Sequence, residues 1–127
     1  MKEENQIGSK FIDSSIWLAY ILEGKHKEII DAAEILLSSV LSLFEIHKKL
    51  LKINASKELI ESFLLFIKKK SIIIHVDEKI VEKAVVFSYE NNLPVIDSLI
   101  YASSIQNESS LLTSDNDFRG LKNVIFL

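Results

Sequence analysis

The sequence predicts an α/β fold in which a central parallel sheet of four to five strands lies between two layers of helices. Short apolar runs alternate with longer segments of helical periodicity along nearly the whole chain. The clearest strand, Ser71–Val76, is rich in β-branched residues, which is typical of a strand covered on both faces. Acidic residues follow several of the apolar runs, where ligand sites lie in such sheets.

The predicted elements of the first third begin with a strand over Lys10–Asp13. An apolar helix follows over residues 15–22, and Gly24 is suited to end it because glycine readily adopts the left-handed conformation. A second helix is predicted over Lys27–Ala33, and a brief strand over Ile35–Ser39.

Two helices are predicted to follow this brief strand. The first is indicated by residues at helical spacing, namely Leu41, Phe44, Glu45, Lys48 and Lys52. The second is capped by Ser56, and its apolar stripe runs from Leu59 to Ile67. It ends in the lysine run 68–70, whose charges favour the negative end of the helix dipole.

In the last part of the chain, Asp77 is predicted to cap a helix running to about Glu90, and residues 91–94 to form a turn. A further helix covers Val95–Gln106, with Asp97 in its first turn. The remaining elements are a strand over 111–113, a loop over 115–120 and a strand over 124–126. This order places Asp13 and Asp115 at the carboxyl edge of a parallel sheet.

Length and composition predict a single domain over residues 1–127. The chain has 127 residues, of which 48% are hydrophobic, and these suffice for a sizeable core. It has only three glycines and one proline, and no segment has the composition of a flexible linker or repeat. Acidic residues exceed basic ones by three, which is unusual for a nucleic-acid binder unless the acids bind metal ions.

The absence of cysteine excludes disulfides, thiolate zinc sites and a cysteine nucleophile. The polar start over Met1–Gln6 does not resemble a signal peptide. Each apolar run is shorter than the roughly 18 residues that indicate a membrane span. We therefore expect a cytoplasmic protein without membrane contact.

Five carboxylates stand where apolar runs end, or on the helices that follow them: Asp13, Glu45, Asp97, Asp115 and Asp117. Such acids can converge at one edge of the core, where their mutual repulsion favours a bound divalent cation. Mg²⁺ or Mn²⁺ suits carboxylate oxygens and can activate water for phosphodiester hydrolysis. We expect Asp13, Asp97 and Asp115 to be the metal ligands, with Glu45 and Asp117 completing the catalytic pocket.

Two hydroxyl residues, Ser14 and Thr113, are expected to hydrogen-bond to water molecules on the metal. The three histidines, His26, His47 and His75, fit no zinc-binding spacing and are interpreted as structural or exposed. Trp17 and Tyr20 are at helical spacing, and three roles stay open for them: core packing, a dimer interface and base stacking.

Four blocks of the sequence, taken in order, resemble the PIN domains, and in particular the small toxin nucleases of VapC type. The blocks are 11–15 (FIDSS), 39–45 (SVLSLFE), 93–102 (LPVIDSLIYA) and 111–118 (LLTSDNDF). The resemblance implies a metal-dependent endoribonuclease that forms a homodimer and is inhibited by an antitoxin protein. Ser98 departs from the family pattern, in which many relatives have alanine after the aspartate. About eight residues before the first strand have no counterpart in it.

Two other functions stay open at this point. A catalytically silent PIN-like module would bind RNA or a protein through the same cleft. A phosphoacceptor domain of receiver type also gathers acids around Mg²⁺, but it needs adjacent acids after the first strand. Asp13 is followed here by Ser14 and Asp115 by Asn116, so the receiver hypothesis is the weakest.

Overall fold

The computed structural model describes residues 8–32 and 34–127, which form five strands, six α-helices and a short 3₁₀ helix. The strands are β1 (Lys10–Ile12), β2 (Leu36–Ser39), β3 (Ser71–Ile74), β4 (Ser110–Thr113) and β5 (Val124–Phe126). The helices are α1 (Ser14–Glu23), α2 (Lys27–Ile30), α3 (Val40–Lys52), α4 (Lys57–Lys70), α5 (Glu78–Asn91) and α6 (Val95–Gln106). The 3₁₀ helix covers Asn116–Phe118, within the predicted loop.

All strand pairs are parallel, and the order across the sheet is β3-β2-β1-β4-β5. β1 is therefore central, and Phe11 is in register with Leu37 of β2 on one side and Leu111 of β4 on the other. The chain winds outward from β1 to β3 and then returns to the opposite side of β1. Ligand sites of open parallel sheets lie where the winding changes direction, here at the carboxyl ends of β1 and β4.

Successive residues of the central strands enter two separate cores, which confirms the predicted three-layer α/β/α arrangement. Ile12, Leu36 and Leu112 point to one face of the sheet and pack with helices α1 to α4. The neighbouring residues Phe11 and Leu111 point to the other face, where α6 and the 3₁₀ helix cover them. Each helix in the described part of the chain is too short or too polar to span a membrane.

The ends of the helices follow from local chemistry that the sequence displays. Ser56 and Asp77 accept hydrogen bonds from the first turns of α4 and α5, as predicted. Such a side-chain cap typically stabilises a helix by about 1 kcal/mol. Gly24 ends α1 with φ of 68°, a conformation that costs glycine nothing.

The prediction that Ser71–Val76 is covered on both faces was wrong. β3 lies at the edge of the sheet, and its Ile72 side chain is 56% exposed. The strand also stops at Ile74, which pairs with Ser39. It can extend no further along β2, because Ser39 is already the cap of α3.

The second predicted helix is shorter than expected. α2 ends at Ile30 after a single turn, and Asp31 serves as its C-cap. The predicted end at Ala33 lies outside the described residues, as does the polar start Met1–Gln6. The short helix still contributes a fully buried side chain, Ile30, to the core beneath α1.

Trp17 is a core residue rather than a surface for base stacking. Its side chain is fully buried, and its Nε1 donates a hydrogen bond to Ser38 Oγ at 3.0 Å. Its ring meets Phe63 and Phe66 edge to face. Tyr20 stacks on Phe66 and is partly exposed, so the same aromatic cluster continues to the surface.

Candidate active site

The two central strands bring the first and last acidic blocks together. Asp13 directly follows β1, and its backbone N–H donates to the carbonyl of Leu112 in β4 at 3.0 Å. Asp115 comes two residues after the end of β4. Residues about 100 positions apart in sequence thus meet at the carboxyl edge of the sheet.

Asp13 is buried and held by hydrogen bonds on a single oxygen. Its side chain is 3% exposed, and Oδ2 accepts hydrogen bonds from Ser15 Oγ at 2.7 Å and from Thr113 Oγ1 at 2.8 Å. Burial raises the pKa of Asp13, while these hydrogen bonds to the charged form act in the opposite direction. The carboxylate is therefore locked in position at the base of the site.

Thr113 connects two of the acids. Its buried hydroxyl donates to Asp13 and accepts a hydrogen bond from the backbone N–H of Asp115 at 2.9 Å. Ser15 makes a second link, because its hydroxyl accepts from the backbone N–H of Ser114 at 3.1 Å. These bonds tie the start of α1 to the segment after β4 and fix the relative positions of Asp13 and Asp115.

Three carboxylates form the tightest group of the site: Asp97, Asp115 and Asp117. One carboxylate oxygen from each lies within 4.8 Å of the others. Asp97 is in the first turn of α6, after the cap residue Pro94. Asp115 Oδ1 accepts from the backbone N–H of Asp117 at 2.9 Å, so the 3₁₀ turn holds its two acids side by side.

Glu45 reaches the same site from α3. Ser14 Oγ donates to its Oε1 at 2.9 Å, which orients the carboxylate. Burial raises the pKa of Glu45, and the negative charges of Asp13 and Asp115 raise it further. All five predicted acids therefore converge, although they come from four separate segments of the chain.

The electrostatics of the group favour a cation. Burial, a hydrogen bond with Asp117 and the charges of Asp115, Asp13 and Asp117 raise the pKa of Asp97 from 3.8 to about 7. Clustered carboxylates of this kind are relieved either by protonation or by a hard cation between them. The all-oxygen donor set fits Mg²⁺ or Mn²⁺, with Asp97, Asp115 and Asp117 as the residues that would hold the ion.

The three predicted metal ligands differ in one residue from the three acids whose carboxylate oxygens lie closest together. The sequence predicted Asp13 as a ligand, whereas the tight group contains Asp117 instead. The 3₁₀ turn places Asp117 next to Asp115, whereas Asp13 lies at the end of β1 with its Oδ2 hydrogen-bonded to Thr113 and Ser15. A direct or water-mediated role of Asp13 in metal binding stays a prediction.

The two predicted hydroxyl residues hydrogen-bond to acids of the site. Ser14 donates to Glu45 and Thr113 donates to Asp13, and their contact with water molecules on a metal stays a prediction. Ser15 was not among the predicted site residues, although an aspartate commonly accepts a hydrogen bond from the backbone N–H two residues on, as Asp13 does from Ser15. His47 and His75 are exposed, and within the described residues no histidine belongs to the metal-capable group.

The raised pKa of Asp97 predicts a pH-dependent stability in the absence of metal. The folded protein holds the Asp97 proton more tightly than the unfolded chain does, so this stabilisation is complete below pH 3.8 and lost as pH rises through about 7. Urea denaturation in chelator across that window should show a falling free energy of unfolding. An Asp97→Asn variant should show a shallower decline, with the remainder due to Asp13 and Glu45. Equal slopes in the two proteins would contradict this assignment.

Comparison with known proteins agrees with the fold. The sequence model of the PIN domain matches residues 10–124. No curated protein matches the sequence significantly. A toxin-antitoxin complex from Klebsiella pneumoniae contains a chain that is 19% identical, with 91% of this chain and 95% of that chain covered and a TM-score of 0.72.

Two further solved structures have the same fold. VapBC2 from Rickettsia felis, bound to a DNA fragment from its promoter, is 19% identical, covers 94% and 97% of the two chains and has a TM-score of 0.73. VapC20 from Mycobacterium tuberculosis, a toxin that cleaves the sarcin-ricin loop, is 18% identical, covers 86% and 92%, and has a TM-score of 0.65. Because the family model spans nearly the whole chain and the three-layer fold agrees with these structures, this chain belongs to the PIN domain family.

Proposed function

We propose that this protein is a divalent-metal-dependent endoribonuclease and the toxin of a toxin-antitoxin pair. The observation that carries the proposal is the convergence of five carboxylates at the carboxyl edge of the sheet, three of them with oxygens within 4.8 Å. A purely structural role does not explain this arrangement, because clustered acids oppose folding unless a proton or a cation compensates them.

The chain's own residues suit this chemistry. A bound Mg²⁺ or Mn²⁺ ion would neutralise charge on the phosphate and lower the pKa of an attacking water. Asp97, Asp115 and Asp117 would hold the ion, and the buried Asp13 would add negative charge behind them. Glu45, oriented by Ser14 and with a raised pKa, is suited to accept the proton that the water releases.

The compared structures support the choice of substrate and partner. Two of them are toxin-antitoxin assemblies, and a third is a toxin that cleaves RNA in the sarcin-ricin loop. On this basis we propose an RNA substrate and an antitoxin protein that inhibits the nuclease. From the resemblance to the VapC-type toxins we also propose that the toxin is a homodimer. A chain that is harmless when overproduced without any partner would count against the toxin assignment.

The decisive experiment is end-mapped cleavage of total cellular RNA and transfer RNA by the purified protein. Discrete cuts are expected with Mg²⁺ or Mn²⁺ and not with a chelator. A variant in which Asp13, Asp97 and Asp115 are all replaced by asparagine should leave the RNA intact. Cleavage that persists in this triple variant would refute the proposed site.

One property of the cluster agrees with the second candidate, a catalytically silent PIN-like module. Burial and the neighbouring acids raise the pKa of Asp97 to about 7, so a proton can compensate the cluster in place of a metal ion. Thermal unfolding with and without Mg²⁺ separates the two functions. A metal-binding nuclease should gain about 2.7 kcal/mol of stability at a metal concentration 100 times the dissociation constant, whereas the silent module should gain none.

A further inference from the structure

A second feature of the surface opens directly from the acidic site. It is a groove of about 320 Å³ lined by Phe44, Glu45, Lys48, Lys49, Lys52 and Ile96, here called the lysine groove. Glu45 belongs to the acidic site, and Ile96 directly precedes Asp97. The groove therefore continues the acidic site along the exposed side of α3.

The three lysines concentrate positive charge in a protein with a net charge of −3. All three are exposed, and among residues 8–32 and 34–127 none of them forms an ion pair. From Glu45 to Lys52 the groove follows α3 for seven residues, or about 10 Å at 1.5 Å per residue. This arrangement offers several cations to a polyanion whose reacting phosphate lies at the acidic site.

Phe44 adds an aromatic surface to the same groove. Its side chain is 66% exposed, although it is a large apolar group, and it belongs to none of the hydrophobic cores of the described residues. Lys48 Nζ lies 6.0 Å from the centroid of its ring. Proteins that bind single-stranded nucleic acids combine exposed aromatic rings with nearby lysines, because bases stack on the rings and phosphates contact the cations.

The geometry points to a substrate-positioning role: the lysine groove binds single-stranded RNA next to the phosphate that is cleaved. Lys48, Lys49 and Lys52 would contact the backbone, and Phe44 would stack with a base. This inference rests on the proposed nuclease function and adds that the site accepts single-stranded RNA. An RNA duplex offers no unstacked base to Phe44, so the single strand is the better fit.

The lysines are tested by RNA binding measured without catalysis. Fluorescence anisotropy with a labelled single-stranded RNA, in chelator and at several salt concentrations, compares wild type with a Lys48→Ala/Lys49→Ala/Lys52→Ala variant. The variant should bind about tenfold more weakly at moderate salt, and its salt slope should fall by about 2, since each phosphate contact on a single strand contributes about 0.7. In cleavage assays its KM should rise more than its kcat falls.

The matched control removes the same charge elsewhere. A Lys68→Ala/Lys69→Ala/Lys70→Ala variant loses three lysines from the last turn of another helix, α4, outside the groove. It should bind RNA nearly as wild type does. Equal weakening in the two triple variants would show that only overall charge matters and would overturn the inference.

Phe44 provides an independent arm. Phe44→Ala should weaken binding to the single strand by about tenfold and binding to an RNA duplex much less, whereas removal of the lysines should weaken both. A Phe44→Ala variant that binds as wild type does would overturn the stacking role. Equal affinity for single-stranded DNA of the same sequence would overturn the assignment to RNA.

The outcomes separate this inference from the proposed function. Cleavage that is metal-dependent in wild type and unaffected by the groove variants would overturn the inference and leave the nuclease intact. Groove-dependent binding of single-stranded RNA without any cleavage would overturn the substrate-positioning role and favour the silent module that binds RNA. Wild-type protein that neither binds nor cleaves single-stranded RNA would overturn both.

Discussion

Replacing Asp97 by asparagine is expected to lower the rate of metal-dependent RNA cleavage by more than about a thousandfold, because metal ions contribute several kcal/mol to such reactions. The negative charges of three neighbouring acids raise the pKa of Asp97, and one of its carboxylate oxygens lies within 4.8 Å of an oxygen of Asp115 and of Asp117. Asparagine retains the size of the side chain but removes the charge that holds a divalent cation. The loss should therefore concern cation binding and catalysis rather than folding.

The appropriate control is Asp31→Asn, which removes one charge from an exposed turn outside the acidic site. Single-turnover cleavage at saturating Mg²⁺ should be close to wild type in this control. Full activity in the Asp97→Asn variant would contradict the site. Activity restored by Mn²⁺ alone would still agree with a weakened metal ligand.

The same substitution should change stability in the opposite direction to activity. Without metal, neutralising Asp97 removes repulsion with the neighbouring acids, so the free energy of unfolding near neutral pH should rise. With Mg²⁺, the variant should gain less stability than wild type because it binds the ion more weakly. A simple folding defect would lower the free energy of unfolding both with and without Mg²⁺. A rise without metal and a smaller gain with Mg²⁺ would therefore identify Asp97 as a functional charge.

Thr113→Val is expected to destabilise the protein by about 3 kcal/mol while leaving the shape of the core unchanged. The hydroxyl is fully buried and serves two partners, Asp13 Oδ2 as acceptor and the backbone N–H of Asp115 as donor. Valine has nearly the same volume but satisfies neither partner. The N–H of Asp115 then loses its partner, and Asp13 Oδ2 keeps only its hydrogen bonds from Ser15.

Thr113→Ser is the informative comparison for this prediction. Serine retains the hydroxyl and loses one buried methyl group, which costs roughly 1 kcal/mol. Urea denaturation should therefore rank wild type above the serine variant and the serine variant above valine. A serine variant less stable than the valine variant would show that packing, not hydrogen bonding, is the main role of Thr113.

Much of the fold follows from local patterns in the chain. The boundaries of α6 and β5 were predicted correctly, since Pro94 marks the start of α6 and Val124–Phe126 is a short apolar run. Caps such as Ser56 and Asp77 are chemical signals that act within a few residues and can be recognised directly. The edge position of β3 could not be recognised, because a β-branched strand looks the same whether one or two neighbours pair with it.

The sequence itself predicted the five acids and their convergence, because Asp13 and Asp115 follow strands whose carboxyl ends share one edge of the sheet. Only the tertiary structure decided which of them lie closest. Distances within 4.8 Å between their carboxylate oxygens depend on the register of β1 with β4 and on the turn after β4. That register places Thr113 against Asp13 and leaves Asp117, rather than Asp13, beside Asp97. Contacts between residues far apart in sequence depend on how the strands and helices pack in three dimensions. No local periodicity in the sequence indicates them.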